Sequence, residues 1–463
     1  MYKMSDNHFN YDIYPIVIPV GKKTDIHIRP LGGRPEFEPG KAYKTILCAL
    51  EEGHPMHFPA TADFRESMTV CNENGGFTVT AEFKKEEEYF IRFEDENGKR
   101  INQFSVYAVE KDLVGRYPFI GDLHMHTNLS DGRQTPEVVA ANYRRHGYDF
   151  TVISDHRRYY PSLRAINCYK DVPLEFNIVP GEEVHMPPVY GRTNDVHIVN
   201  FGGEYSINAL TEGASHDEVG DGEEYRSLYG KCPDFMSYEE YQKKMQALAD
   251  GETVPENVDV IPYTVCKWIF GEIKKANGLG IFAHPTWRAN VYHVPEAFTD
   301  YLFEKQDFDA FEVLGGENYF EHNGFQTVRY YEERAKGRHF PIVGSTDSHS
   351  SYPTNENAYI CSTIIFSPEN ERTALISSVK DFYSVAVDTI SKEFRLVGEN
   401  RFVRYGCFLL KHFFPRHDEL CYEEGRLMKQ YVTGTDEEKK EAADMLGAVN
   451  GRMKKQREKY FAF

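Results

Sequence analysis

The twelve residues Gly-Asp-Leu-His-Met-His-Thr-Asn-Leu-Ser-Asp-Gly, from Gly121 to Gly132, constrain this chain more than any other stretch. An apolar run at 117–120 leads into them and reads as a buried strand. The strand ends in His124-x-His126, and side chains two apart on extended backbone point to the same side. Two imidazoles placed this way can hold one metal ion. Asp131 follows in a Ser-Asp-Gly turn. Thr135 and Pro136 then open a helix, as N-cap and first helical residue. The order is strand, ligand-rich turn, helix.

That grammar recurs along the chain. Further strands are expected over 148–154, 176–180, 196–201, 279–283, 308–314 and 340–345, with helices over 135–146, 263–276 and 326–335. Seven strands with intervening helices predict a closed parallel barrel one unit short of the eightfold form. The second strand ends in Asp155-His156, and the third runs into Gly181-Glu182-Glu183. The fourth carries His197, the fifth ends in Ala283-His284-Pro285, and the seventh in Thr346-Asp347-Ser348-His349. The C-terminal strand ends of such a barrel share one face, so these stretches converge on one polynuclear cluster. Imidazole and carboxylate without Cys select Zn, Mn or Fe over Ca or Mg. The side chains suffice for two or three divalent ions, with a carboxylate such as Glu183 bridging two of them. A water bridging two ions loses a proton near neutral pH and becomes a nucleophile, while the metals neutralise charge on a phosphoryl oxygen.

The flanks read differently. Short alternating strands at 14–20, 24–28, 77–83, 89–93 and 104–109 predict an all-β sandwich of immunoglobulin-like architecture over 1–115. Its role is open between an accessory or substrate-gating domain and a packing domain. His54 and His57 lie there without a carboxylate beside them and read as an ordinary loop pair. The barrel is expected over 116–390, with an insertion at 203–256 that reads as a lid or as a solvated loop. A C-terminal helical extension is expected over 391–463, with helices at 401–413, 419–431 and 437–459 and a homo-oligomer surface as one role. A net charge of −19 argues against long nucleic acid and anionic membrane as partners. It leaves room for a small anion held through metal ions. The eight Cys form no Cys-x-x-Cys pair, and no apolar run is long enough to span a bilayer, so a reducing cytoplasm is the expected setting.

As an ordered set, His124-x-His126 with Ser130-Asp131-Gly132, Thr151-Val152-Ile153-Ser154-Asp155-His156, Pro180-Gly181-Glu182-Glu183, His197, Ala283-His284-Pro285 and Asp347-Ser348-His349 resemble the PHP (polymerase and histidinol phosphatase) superfamily of metal-dependent phosphoesterases. The resemblance covers roughly 116–388 and implies a distorted (β/α)7 barrel. It also implies three metal positions. His124, His126, Glu183 and Asp347 would hold the first; Glu183, His197 and His284 the second; Asp131, His156 and His349 the third. Glu183 rather than Glu182 follows the glycine by the family's spacing, which leaves Glu182 as a supporting or solvated residue. Asp122 and Asp155 would orient neighbouring ligand His residues, and His185 would line the site.

One departure bears on the substrate. Where many relatives carry a small or acidic residue after Asp-His, this chain has Arg157, then Arg158, Tyr159 and Tyr160. Arg157 and Arg158, and with them Arg288 and Arg192, are candidates to clamp a phosphate or carboxylate bidentately, and each reads equally well as a surface ion pair. His146, His293, His322, His339, His412 and His417 read as surface or packing residues. The leading expectation is a phosphoesterase that hydrolyses a small phosphorylated substrate, a phosphomonoester or short phosphodiester, through metal-bridged hydroxide, with Glu183 and Asp347 at its centre. A metal-dependent amide or ester hydrolase is the runner-up, and a catalytically inactive barrel serving as a binding module the third reading.

Overall fold

The computed structural model describes residues 7–32, 36–50, 65–214, 235–288, 290–315, 320–353, 358–389 and 394–463. His54, His57 and the acidic middle of the 203–256 insertion lie outside the described residues. The chain divides into two compact units. One comprises Met1–Tyr117, Asn400–Leu420 and Gly451–Phe463, and the other Pro118–Glu399 and Cys421–Asn450. The expected extension 391–463 is therefore not a unit of its own: its helices are shared out, and one division falls within helix Phe414–Thr433. The single helix expected over 437–459 is two, Asp436–Val449 and Arg452–Tyr460. They are broken at Gly451, whose φ of 82° glycine adopts without steric cost.

In the first unit the strands are β1 (Tyr11–Tyr14), β2 (Val17–Pro19), β3 (Thr24–Pro30), β4 (Ala42–Ala49), β5 (Arg65–Val70), β6 (Phe77–Ala81), β7 (Glu87–Glu94) and β8 (Arg100–Val109). They form two sheets, ordered β1-β3-β6 and β2-β8-β7-β4-β5. Alternation places Phe77 of β6 and Phe93 of β7 on inner faces, where their rings stack at 4.1 Å, with Phe104 of β8 edge-on to Phe93 at 6.1 Å. One buried carboxylate ties the unit together. Asp12 of β1 accepts hydrogen bonds from Arg29 at 3.0 Å, Lys459 at 2.5 Å and Tyr460 at 2.8 Å, and also from Arg416. Burial would raise this carboxyl, but Lys459, Arg29 and Tyr460 outweigh it and hold it well below the usual carboxylate range. A depressed folded-state value stabilises at pH above the unfolded value and is lost as pH falls through the folded one. Asp12→Ala should therefore lose about 3 kcal/mol at pH 7. Below about pH 4 the gap between mutant and parent should close, as read by urea unfolding across pH.

The second unit contains β9 (Tyr117–Asp122), β10 (Phe150–Val152), β11 (Asn177–Val179), β12 (Gly181–Val184), β13 (Ile198–Phe201), β14 (Leu279–Phe282), β15 (Ala310–Leu314), β16 (Ile342–Gly344), β17 (Cys361–Ser367), β18 (Ser384–Asp388) and β19 (Arg395–Val397). All seven expected strands form, trimmed at their ends. Among the described residues they do not close into one parallel barrel. The sheet hydrogen bonds make two mixed sheets, ordered β11-β10-β9-β17-β18-β19 and β12-β13-β14-β15-β16. Neighbours are parallel for β9-β10-β11 and for β14-β15-β16, and antiparallel along β12-β13-β14 and β17-β18-β19. The reason lies in the connections. A parallel neighbour needs a crossover of a dozen residues or more, usually a helix. Helices Pro136–Arg145 and Phe320–Ala335 supply such crossovers, whereas the stretch between β12 and β13 contains no helix and the chain turns straight back. No helix among the described residues is long and apolar enough to cross a membrane.

Candidate metal centre

Two chain segments that follow parallel strands lie side by side. After β9, the His126 N–H donates to the Ser348 carbonyl at 2.9 Å, and the Asp347 N–H donates to the His124 carbonyl at 2.9 Å. Met125 pairs with Ser348 across this bridge and enters the apolar core, so His124 and His126 face the other way, toward Asp347. Asp347 itself holds φ = 50° and Arg157 φ = 58°. Left-handed backbone in a non-glycine residue is costly and persists where the surroundings demand it. Here both residues turn the chain at the ends of ligand-bearing segments.

Glu183 occupies the middle of the cluster. Its Oε2 lies 3.3 Å from His124 Nε2, 3.4 Å from His126 Nε2 and 2.8 Å from His156 Nδ1. Its Oε1 lies 2.6 Å from His197 Nδ1. Asp347 likewise divides its oxygens, with Oδ1 2.8 Å from His126 Nε2 and 3.3 Å from His124 Nε2, and Oδ2 3.6 Å from His284 Nε2. Asp131 sits 3.2 Å from His349 Nε2, 3.5 Å from His156 Nε2 and 3.9 Å from His126 Nδ1. All nine expected ligands thus converge. His124, His126, Glu183 and Asp347 make one group with ligand atoms within 4.8 Å of one another, and His126, Asp131, His156 and His349 another. His197 and His284 pack edge to face with ring centroids 4.8 Å apart.

Strand direction explains one detail. His197 precedes β13, which runs antiparallel to β14 with Ile198 opposite Phe282. The start of one strand and the end of the other thus lie at the same edge, and His197 meets His284 there.

The donor set fits metal ions. Both carboxylate oxygens of Glu183, His197 Nδ1, His126 Nδ1 and His284 Nε2 are buried without a hydrogen-bond partner, although ligand atoms of neighbours lie close. Buried lone pairs that face one another without a proton between them are costly unless a cation sits among them. Burial alone would raise Glu183 and Asp347. The surrounding imidazoles, His156 foremost for Glu183 and His124 for Asp347, outweigh it and hold both well below the usual range. Both are therefore acceptor-only anions.

The supporting residues differ from expectation. Asp122 accepts from the His124 N–H at 3.2 Å and from the Thr346 N–H and hydroxyl at 3.0 and 2.5 Å. Asp155 accepts from the Thr127 N–H and hydroxyl at 2.8 and 2.7 Å. Both position the ligand segments through backbone, and neither touches a ligand imidazole in these hydrogen bonds. The carboxylate that does is Glu312 of β15, fully buried and 3.0 Å from His124 Nδ1. Burial pushes Glu312 up to about 7, with His124 pulling the other way. Its sequence signal was a lone carboxylate inside the apolar run Ala310-Phe311-Glu312-Val313-Leu314. Glu182 is not solvated: it is fully buried and accepts from Ser206, Ile207 and Asn208, which anchors the turn after β13. His185 lies 2.9 Å from His156 and 3.6 Å from Glu183, inside the cluster rather than only beside it. His322 is buried against Thr286 at 2.8 Å, and His293 packs on Trp287 with ring centroids 4.0 Å apart, so both are packing residues, as one of the two expected readings had it.

The arginines separate. Arg288 is exposed and pairs with Glu321 at 2.9 Å, and Arg192 pairs with Asp259 at 2.8 Å. Each is the surface ion pair that the sequence left open as the alternative. Arg157 is half-buried, its N–H donates to the Glu183 carbonyl at 2.9 Å, and among the described residues its guanidinium has no ion-pair partner.

No family model matches the chain. No curated protein matches it. Among solved structures it is similar to a two-domain protein of Bacteroides vulgatus described as containing a PHP-like metal-dependent phosphoesterase, at 15% identity over 59% of this chain and with a TM-score of 0.36. That match takes in 65% of the neighbour's length, less than two thirds. A protein of Bifidobacterium adolescentis described as a metal-dependent phosphoesterase aligns at 14% identity over 57% of this chain and 94% of its own, with a TM-score of 0.32. An amidohydrolase of Chromobacterium violaceum, bearing sulfate and no metal, aligns at 18% identity over 50% of this chain and 87% of its own, with a TM-score of 0.28.

Proposed function

We propose that this chain is a metal-dependent hydrolase of the PHP type that cleaves a phosphomonoester or short phosphodiester. The observation that carries the reading is the placement of Glu183, whose two oxygens face different imidazoles, as a carboxylate bridging two ions would. The fold in this reading is a distorted (β/α)7 barrel. What supports it is the two parallel runs, β9-β10-β11 and β14-β15-β16, whose following segments deliver their ligands to one place.

His124, His126, Glu183 and Asp347 would hold one ion, and Glu183, His197 and His284 a second. Asp131, His156 and His349, with His126 at their side, would hold a third. Bound divalent ions would supply Lewis acidity toward a phosphoryl oxygen and acidify water. The residues here do the rest. Glu312 orients the His124 ring, and Glu182 fixes the turn behind Glu183. Arg157 offers a planar charged fork to the phosphate oxygens. A cation with no ion-pair partner among the described residues favours a phosphate ester over an amide or carboxylic ester, whose reacting group carries no charge for it to pair. The absence of Cys from the ligand set keeps Zn, Mn and Fe as the candidates.

The test is element-resolved metal content of protein purified without chelator or affinity metal, followed by a phosphate-ester panel with the metal found. Two to three equivalents per chain and release of inorganic phosphate are expected. A chain that stays metal-free after reconstitution overturns the reading.

A further inference from the structure

Two cavities open side by side between the 285–294 segment and helix Phe320–Ala335, of about 490 and 310 Å³. Thr286, Tyr292 and Phe325 line both, so they form one groove. Its size is that of a small-molecule site. It begins at the metal centre: Pro285 and Thr286 follow the ligand His284, and the Trp287 ring lies 6.4 Å from the His284 ring. The larger cavity's walls are mostly apolar, and several apolar side chains around the groove are exposed. Phe325, Val328 and Tyr292 are 44%, 57% and 46% exposed, and Val291 beside them 75%. A contiguous apolar patch of this kind on a chain of net charge −19 marks a binding surface.

The groove's charges are already used. Arg288 pairs with Glu321, and Arg329 with Asp300 and Glu333. Glu296 and Glu332 add two carboxylates to the lining. Among the described residues, a second anionic group on a substrate would find no unpaired cation here. The polar groups left over are neutral. Both amide atoms of Gln326 in the larger cavity, and His322 Nε2 in the smaller, are buried without a hydrogen-bond partner. Such groups point to a ligand able to give and accept single hydrogen bonds.

We propose that this groove seats the alcohol part of the substrate, a flat, uncharged aromatic group, with the phosphate toward the metal centre. The substrate class is then an aryl or aryl-alkyl phosphate rather than a sugar phosphate or a polyanionic nucleotide. The class rests on the hydrolase reading, whereas the groove's affinity for the aromatic part does not.

The test uses the full chain and two probes. First, 2-naphthol binding is followed by ligand fluorescence in the parent, Phe325→Ser, Val328→Asn and the metal-ligand variant His126→Ala. Parent and His126→Ala should bind alike, and the two groove variants at least about tenfold more weakly. Second, kcat/KM is compared for 2-naphthyl phosphate and glycerol 3-phosphate. The groove variants should lower the first about tenfold more than the second. Undetectable naphthol binding, or binding that Phe325→Ser and Val328→Asn leave unchanged, overturns the inference while ester hydrolysis still supports the hydrolase. Groove-dependent naphthol binding in a protein that hydrolyses neither ester upholds the aromatic site and overturns the hydrolase reading.

Discussion

Asp347→Ala should lower phosphate-ester turnover about a thousandfold or more and remove at least one metal equivalent, with the chain still folded. The magnitude follows from the several kcal/mol of charge stabilisation that a metal ion contributes to such a transition state. Asp347 faces two groups of imidazoles, Oδ1 toward His124 and His126 and Oδ2 toward His284. Folding should survive because the local turn is held by backbone. The Asp347 N–H donates to the His124 carbonyl, and Asp122 holds Thr346 from beneath. The left-handed φ of 50° at this position is no better suited to Ala than to Asp, so part of the cost appears as a modest fall in melting temperature. Turnover with metal content read in parallel decides the matter. A variant that keeps the parent's metal and at least a tenth of its rate would place the chemistry elsewhere.

Arg144→Met should destabilise the second unit by about 3–5 kcal/mol, a fall in melting midpoint of roughly 10 °C. Arg144 lies in helix Pro136–Arg145, is fully buried, and donates to Glu424 at 2.5 Å, to the Tyr148 carbonyl at 2.9 Å and to Asp149 at 3.4 Å. Removing the cation leaves two buried carboxylates facing each other's field. One of them, Glu424, also receives the Glu175 N–H at 2.7 Å. The double change Arg144→Met with Glu424→Leu should recover part of the loss, because replacing a buried pair by apolar groups is far cheaper than breaking it. Chemical unfolding of the two variants checks both statements. Equal stability of Arg144→Met and the parent would show that the pair carries nothing.

Much of the candidate ligand set was legible because most members sit at a local signal. An apolar run stops, and His or Asp follows: His124 and His126, His156, His284, Asp347 and His349. Glu312 escaped because β15 is buried on both faces, so no alternation marks which side chain looks into the cluster. Asp122 and Asp155 were recognised as supports of neighbouring His residues, and Asp122 does hold the His124 N–H. Their donors are backbone N–H and hydroxyl groups brought together by strand pairing. Arg157 and Arg288 looked alike in the sequence, and a glutamate 33 positions away separates them.

What the sequence by itself determined is local. It set where strands and helices form, which turns need glycine, and the chemistry of the ligands, since apolar periodicity and side-chain type act over a few residues. Tertiary structure alone decided the rest. It reversed β13, so that His197 reaches the cluster from a strand's start, and divided the C-terminal helices between two units. It also joined Arg144 to Glu424 across 280 positions. These outcomes depend on which surfaces bury together and which carboxylates find a cation, and those are energies between parts of the chain that no local stretch contains.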